Sequence, residues 1–244
     1  MYIIGDIHGC FLTLQKLVEK IGKDEVFYSV GDIVDKGPDT CKTLDFVMSL
    51  KNFKMVLGNH EVQFINHIKR YINNEDISNT NWYKNFGGKQ SVNSYNYLNN
   101  KEEVIKKMKK HLKFLEKQEF YFYFKNPIGK INRKILISHG FALPYFKKRL
   151  KIKNDSLTQT QFTCNRLNSK YFNISDIKNL QELEAYDVVN IFGHVANEEP
   201  LRSNILIDVD TSCVYKNKLT AYSLNEDKFI FTKCIDKINY KEVE

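Results

Sequence analysis

The chain reads MYIIGDIHGC at 1–10, VFYSVGDIVDKG at 26–37 and KMVLGNHE at 54–61. Each segment is a short apolar run that breaks at a glycine into a cluster of carboxylate, amide and imidazole side chains. An uninterrupted apolar run of this length is how a strand buried on both faces reads. The glycine lets the backbone leave the strand in a tight turn. Between the runs, Leu12 to Ile21 sets Leu14, Leu17, Val18 and Ile21 on one helical face, and Leu44 to Leu50 lies on a second helix. This alternation predicts βαβ units, with parallel strands joined by right-handed crossovers. Asp6 and Asp32 are 26 residues apart, and Asp32 and Asn59 are 27 apart. Both spacings match one βα repeat, so the three polar clusters should line up at the carboxyl ends of adjacent strands, where open α/β sheets hold their ligands.

Further along the chain, a helix is expected from about Glu61 to Ile72, a loop from Asn73 to Asn81, and a periodic helix from Lys101 to Lys117 with Val104, Ile105, Met108, Leu112 and Leu115 on one face. Strand patterns return at 121–124, 134–138, 188–192, 205–209, 219–222 and 229–232. No long helices separate these late strands, so they predict a second sheet packed on the first. No repeat, linker or composition break appears, and a single domain over 1–244 is the reading. Two late strands end as the early ones do, in Ser138-His139-Gly140 and Phe192-Gly193-His194. Four of the six histidines (His8, His60, His139 and His194) thus stand at strand ends, while His67 and His111 lack that context and read as structural. The converging set is Asp6, His8, Asp32, Asn59, His139 and His194. Oxygen and imidazole donors without thiolate suit Mn, Fe or Zn, and there are enough for two ions, with Asp32 in the middle cluster placed to bridge them.

Composition narrows the field. Apolar residues at 42% and only 11 Gly and 4 Pro exclude a mainly disordered or collagen-like chain. No apolar run approaches the ~20 residues that span a bilayer, and the start lacks the basic-then-apolar pattern of a signal peptide, so a cytoplasmic location is expected. The net charge of +8 comes mostly from Lys, with only five Arg, spread along the chain. It reads as a solvated surface rather than a nucleic-acid site. Five cysteines with no CxxC pair predict reduced, mostly buried thiols, without a disulfide framework or a structural zinc site.

GDIHG, GDIVDKG and GNHE in this order, followed by SHG and FGH, resemble the metal-dependent phosphoprotein phosphatases, within the calcineurin-like metallophosphoesterases. The closest likeness is to the bacterial and phage lambda-type serine/threonine branch, and it covers most of the chain. Cys164-Asn165-Arg166 resembles that branch's Trp-Asn-Arg segment, and the stretch from Leu206 through Asp210-Thr211 to Ala221 resembles its closing hairpin. The resemblance implies an α/β fold in which a sandwich of two mixed sheets is flanked by helices (four layers, αββα), with a helical insertion. It implies two divalent metal ions, Mn before Fe or Zn. Asp6 and His8 would hold the first, Asp32 would bridge, and Asn59, His139 and His194 would hold the second. A metal-bridging hydroxide would attack phosphorus directly, His60 would protonate the leaving oxygen with Asp35 orienting its ring, and Lys36 and Arg166 would hold the phosphoryl oxygens.

The family usually has Arg where this chain has Lys36, Cys164 replaces a Trp, and Ser212-Cys213 stands where Gly is common. The expected activity is hydrolysis of phosphoserine and phosphothreonine in proteins, with phosphotyrosine as a further substrate. The alternative is a symmetrical bis(5'-nucleosyl)-tetraphosphatase acting on diadenosine tetraphosphate. Asp35 and the glutamate of GNHE weigh towards the first, because those hydrolases tend to have a neutral residue and GNHD there. A monomer is expected, with substrate choice set by loops within 73–100 and 141–175. Trp82, in Asn81-Trp82-Tyr83, fits either the rim of the opening or an anchor for the helical insertion.

Overall fold

The structure, a computed structural model, describes residues 1–149, 156–169 and 172–238. Parts of the expected specificity loops, 150–155 and 170–171, therefore lie outside the described residues. The strands in chain order are β1 (Tyr2–Ile4), β2 (Phe27–Ser29), β3 (Phe53–Met55), β4 (Tyr121–Phe124), β5 (Lys134–Ser138), β6 (Asn168–Ser169), β7 (Phe172–Asn173), β8 (Val188–Phe192), β9 (Leu201–Arg202), β10 (Leu206–Asp208), β11 (Lys218–Ser223) and β12 (Lys228–Lys233). The helices are α1 (Phe11–Ile21), α2 (Thr40–Ser49), α3 (Asn59–Ile72), α4 (Asn81–Asn85), α5 (Gly88–Asn93), α6 (Lys101–Leu115), α7 (Leu143–Arg149), α8 (Ser156–Thr163) and α9 (Ile177–Glu184).

Two five-stranded mixed sheets face each other. The first runs β12-β11-β1-β2-β3 and the second β4-β5-β8-β10-β9, with β6 and β7 forming a separate small ribbon. The pairs β1–β2 and β2–β3 are parallel, as the βαβ pattern predicts. Alternation along each strand feeds two cores, since successive side chains point to opposite faces. Ile3, Ile135, Ile137, Val189, Ile191 and Ile207 meet between the sheets. Ile4 instead packs under α1, α2, α3 and α6, and Leu136, Val188, Phe192 and Leu206 pack under α7, α8 and α9. The result is four layers, αββα.

Two expectations need correction. The strands β11 and β12 do not join the second sheet. They pair antiparallel with each other, and β11 pairs with β1, extending the first sheet. The segment from Leu206 to Ala221 is accordingly no hairpin: β10 lies beside β8 in the second sheet, and the chain then crosses to the first. Period-two alternation identifies a strand but carries no record of its partner, which long-range pairing decides. The remaining differences are boundaries, such as β3 at 53–55 rather than 54–57, and short elements without a strong period.

Candidate active site

The three early clusters do come together at the carboxyl ends of β1, β2 and β3, joined from the second sheet by the ends of β5 and β8. Five of the residues there, His8, Asp32, Asp35, Lys36 and His194, adopt positive φ between 46° and 74° without being glycine. Such backbone costs about 1–3 kcal/mol per residue and persists only where surroundings over-determine it.

Glu61 supplies much of that determination. Fully buried, it accepts four backbone N–H bonds: Oε2 from Asp32 (2.7 Å) and Gly58 (2.8 Å), Oε1 from Ile33 (2.7 Å) and Val34 (3.2 Å). Burial and the Asp32 charge push its carboxyl up to about 7, against those four donors. Asn190 plays the matching part in the second sheet. Its Oδ1 accepts from Ala142 N (2.8 Å) and Leu143 N (3.1 Å), and its Nδ2 donates to Ser138 Oγ (2.9 Å), fixing the turn that carries His139.

At the centre, Asp32 Oδ2 lies 3.2 Å from His139 Nε2, 3.7 Å from His8 Nε2 and 4.0 Å from His60 Nε2. Asn59 Oδ1 is 3.1 Å from the same His139 nitrogen. Two groups could each hold an ion: His8, Asp32 and His60, and Asp32, His139 and His194. Asp32 is common to both, which fits the bridging position expected of it. The second group contains the expected residues, while the first has His60 rather than Asp6 within its reach. Asp6 also lines the cleft and accepts from the His194 N–H at 3.2 Å. The Cβ of any residue replacing Gly193 would fall 2.1 Å from Asp6 Oδ1, so this approach requires glycine.

The imidazole chemistry fits metal binding. His8 and His139 each donate Nδ1–H to a backbone carbonyl, Val34 O and Val30 O, both at 2.9 Å. That bond fixes the tautomer and turns the Nε2 lone pair to the cluster, the usual arrangement behind a metal-bound histidine. Burial holds His8 well below the ordinary imidazole range, with the Lys36 charge adding to it, and burial followed by His139 holds His194 down at about 3. Both are therefore neutral near pH 7, the form a metal would need. Asp6 is raised by burial and then by the carboxylates of Asp210, Asp32 and Asp208. Burial would raise Asp32 too, but His139 and His60 outweigh it and hold it low. His139 is raised, although burial opposes it, by the Asp32 charge beside it, and crowded buried acids of this kind form a site that divalent cations neutralise.

The remaining expected residues surround this centre. Asp35 is fully buried and holds His60 by a 2.9 Å bond from Nδ1–H to Oδ2. Trp82 Nε1–H donates to the same oxygen at 2.7 Å, and Ser91 Oγ–H to Oδ1 at 2.7 Å. Trp82 is thus no rim residue. It is buried against Phe64 and stacked on His67, anchoring the inserted helices and locking Asp35. Lys36 Nζ donates to His8 Nε2 (3.2 Å) and lies 5.5 Å from the Tyr215 ring centre. Arg166 is exposed and borders the same cleft. Its loop is tied to the His139 turn by Phe141 N–H donating to Asn165 O at 3.1 Å. The cleft has a volume of about 510 Å³, and Phe86 (44% exposed) and Tyr215 (45% exposed) stand on its wall.

Sequence reasoning left out Glu61 as a functional residue, together with Asn190, Ser91, Phe86, Tyr215 and the Asp208–Asp210 pair that raises Asp6. The signal available for Asn190 was an amide side chain inside the otherwise apolar run 188–192.

Residues 1–198 match the family model described as calcineurin-like phosphoesterase. The chain belongs to that family. Over 93% of its length this phosphoesterase is 28% identical to a protein of Oceanobacillus iheyensis named bis(5'-nucleosyl)-tetraphosphatase PrpE, asymmetrical, covering 90% of it. A shorter match, 50% identical over 68 residues, covers 26% of this chain and 24% of a protein of Buchnera aphidicola subsp. Baizongia pistaciae named bis(5'-nucleosyl)-tetraphosphatase, symmetrical. Among solved structures, the phosphoesterase superposes on a candidate diadenosine tetraphosphatase with a TM-score of 0.62 at 19% identity, over 95% of this chain and 92% of that one. A cold-active protein tyrosine phosphatase gives 0.53 at 16%, over 97% and 80%. These two show the shared fold of paired mixed sheets flanked by helices. The phosphoesterase is a phosphoester hydrolase with groups suited to divalent metals.

Proposed function

We propose that this phosphoesterase hydrolyses dinucleoside polyphosphates, with bis(5'-nucleosyl) tetraphosphates as the substrate class. The observation that carries this is the pair of exposed rings, Phe86 and Tyr215, on the wall of the cleft that contains Asp32 and His8. A flat base stacks on an exposed aromatic face with about 1–3 kcal/mol per base, whereas a phosphoserine side chain has nothing to offer it. The names of the two bis(5'-nucleosyl)-tetraphosphatase relatives support the same reading over the phosphoprotein expectation. That expectation leaned on Asp35 and Glu61. Both are fully buried, and neither lines the cleft, so neither can select a substrate by contact.

Asp6, His8, Asp32, Asn59, His139 and His194 would hold two divalent ions, with manganese as the expected ion. When bound, such ions neutralise the polyphosphate charge and activate water. Lys36 and Arg166 border the cleft as cationic partners for phosphate oxygens, Lys36 as a point charge rather than a bidentate fork. His60 Nε2 points into the cleft while its other nitrogen is held by Asp35, so His60 is placed to give a proton to the departing phosphate oxygen.

The test is a side-by-side assay of the Mn²⁺-loaded protein on diadenosine tetraphosphate and a phosphothreonine peptide, with Asp32→Asn as blank. Turnover of the dinucleotide well above the peptide is expected, giving either two ADP or ATP plus AMP. The reverse ranking would overturn the reading.

A further inference from the structure

Cys10, Cys213 and Cys234 bring their three Sγ atoms within 4.8 Å of one another, Cys213 also lining the cleft. They come from unrelated places in the chain: the residue before α1, the short turn Cys213–Tyr215, and the first position after β12. No CxxC spacing announces them. The fold clamps them together. Asp236, two residues after Cys234, accepts from Leu12 N (2.9 Å), Thr13 N (3.0 Å) and Thr13 Oγ (2.5 Å), and Ile235 N–H donates to Thr13 Oγ at 3.0 Å. Cys234 N–H donates to Asn217 O (2.9 Å), which ties the end of β12 to the turn that carries Cys213.

We propose that Cys10, Cys213 and Cys234 form a three-thiolate site for a thiophilic divalent cation, zinc being the physiological choice, separate from the oxygen and imidazole centre. The number of sulfurs favours a metal over a disulfide. An equilateral triangle of 4.8 Å edge has its centre about 2.8 Å from each corner, while a zinc–thiolate bond is ~2.3 Å. The three sulfurs need to close in by about half an ångström at most. A disulfide needs two of them at ~2.05 Å and would strand the third. Cys10 and Cys213 are buried and Cys234 is only half-buried, so solvent would reach a bound ion from the Cys234 side. Hydrogen bonds from Cys10 and Cys213 lower the Cys234 thiol well below its ordinary range. Binding displaces the protons of the thiols still protonated and leaves an anionic site. The ion would pin the turn that carries Tyr215 to the start of α1.

Cobalt(II) reports this directly, because sulfur ligation gives a near-ultraviolet charge-transfer band that oxygen and imidazole ligands do not. The reduced full-length protein titrated with Co²⁺ should develop that band with the amplitude of one site per chain, and Zn²⁺ should bleach it. Cys234→Ser should abolish the band while Cys164→Ser, outside the trio, keeps it. In the wild-type chain, Zn²⁺ should also slow alkylation of Cys234, mapped by peptide mass, at least tenfold. This second measurement stands even where the serine variant fails to fold. No band in the wild type, a band that survives Cys234→Ser, unslowed alkylation, or a disulfide within the trio in protein purified without reductant would each overturn the proposal.

Discussion

Replacing Glu61 by glutamine changes one atom and should nonetheless be among the most damaging substitutions in the chain. Each carboxylate oxygen accepts two backbone N–H bonds, one pair from Ile33 and Val34 and the other from Asp32 and Gly58. A glutamine keeps one acceptor oxygen. Whichever way the amide is placed, its NH₂ faces two N–H donors, so two buried donors lose their partner and two more are introduced. A buried unsatisfied donor costs about 1–3 kcal/mol, so the two orphaned backbone groups alone give roughly 2–6 kcal/mol. That is a large share of the ~5–15 kcal/mol that holds a domain together. Urea unfolding of wild type and Glu61→Gln in chelator, compared at equal m-value, measures it. Because the pairs include Asp32 itself, the folded fraction should also retain less Mn²⁺ on gel filtration. A variant within 0.5 kcal/mol of wild type with undiminished metal retention would refute the account of Glu61 as the residue that holds the turn at 31–34 in its strained form.

Phe86→Ala and Tyr215→Ala should raise KM for diadenosine tetraphosphate about tenfold each, the equivalent of one lost stacking contact, and leave p-nitrophenyl phosphate turnover within twofold; equal effects on both substrates would remove the base-stacking role. Asp35→Asn should lower kcat at least tenfold with little change in KM, because the His60 ring loses the carboxylate that orients it, and kinetics at saturating Mn²⁺ checks this. His111, buried beside Asp45, is held down at about 4, first by burial. The unfolded chain takes up a proton at about 6.5 where the folded one does not, so stability should fall as pH drops from about 6.5 to 4, and His111→Gln should flatten that part of the curve in thermal melts. At Gly87 (φ +84°), a Cβ would meet Lys36 N at 2.1 Å, so Gly87→Ala should lower Tm and weaken phosphate binding together, and a neutral melt would contradict the packing described.

What was legible in the sequence was whatever repeats locally. The glycine-ended apolar runs placed Asp6, Asp32, Asn59, His139 and His194 at strand ends, and the equal spacing of the first three put them side by side. What was not legible depends on partners distant in sequence. Nothing in the alternation of residues 218–233 says that β11 pairs with β1 rather than with the second sheet. Trp82 stood out as the single tryptophan, yet its indole N–H bond to Asp35 spans 47 residues. The gathering of Cys10, Cys213 and Cys234 is of the same kind. Motif reading also misplaced the weight of Asp35 and Glu61. Their positions in GDIVDKG and GNHE were plain, and the resemblance already implied Asp35 behind the His60 ring, but only burial shows that neither touches what enters the cleft.

The crossing of the chain from β10 to β11 bears on more than topology. Asp6, His8, Asp32 and Asn59 ride on one sheet, while His139 and His194 ride on the other. The spacing of the two halves is therefore not set by any one turn, although His139 Nδ1–H to Val30 O and His194 N–H to Asp6 tie them at the site. It is read out from how the two leaves rest on each other, across the layer of Ile3, Ile137, Val189, Ile191 and Tyr222. A small rotation of one leaf would splay the donors of one half away from the other while every turn kept its shape. Trimming a methyl group in that greasy interior, some distance from any polar atom, should thus detune the chemistry at the edge, and a filled metal cluster should act back as a rivet through the sandwich.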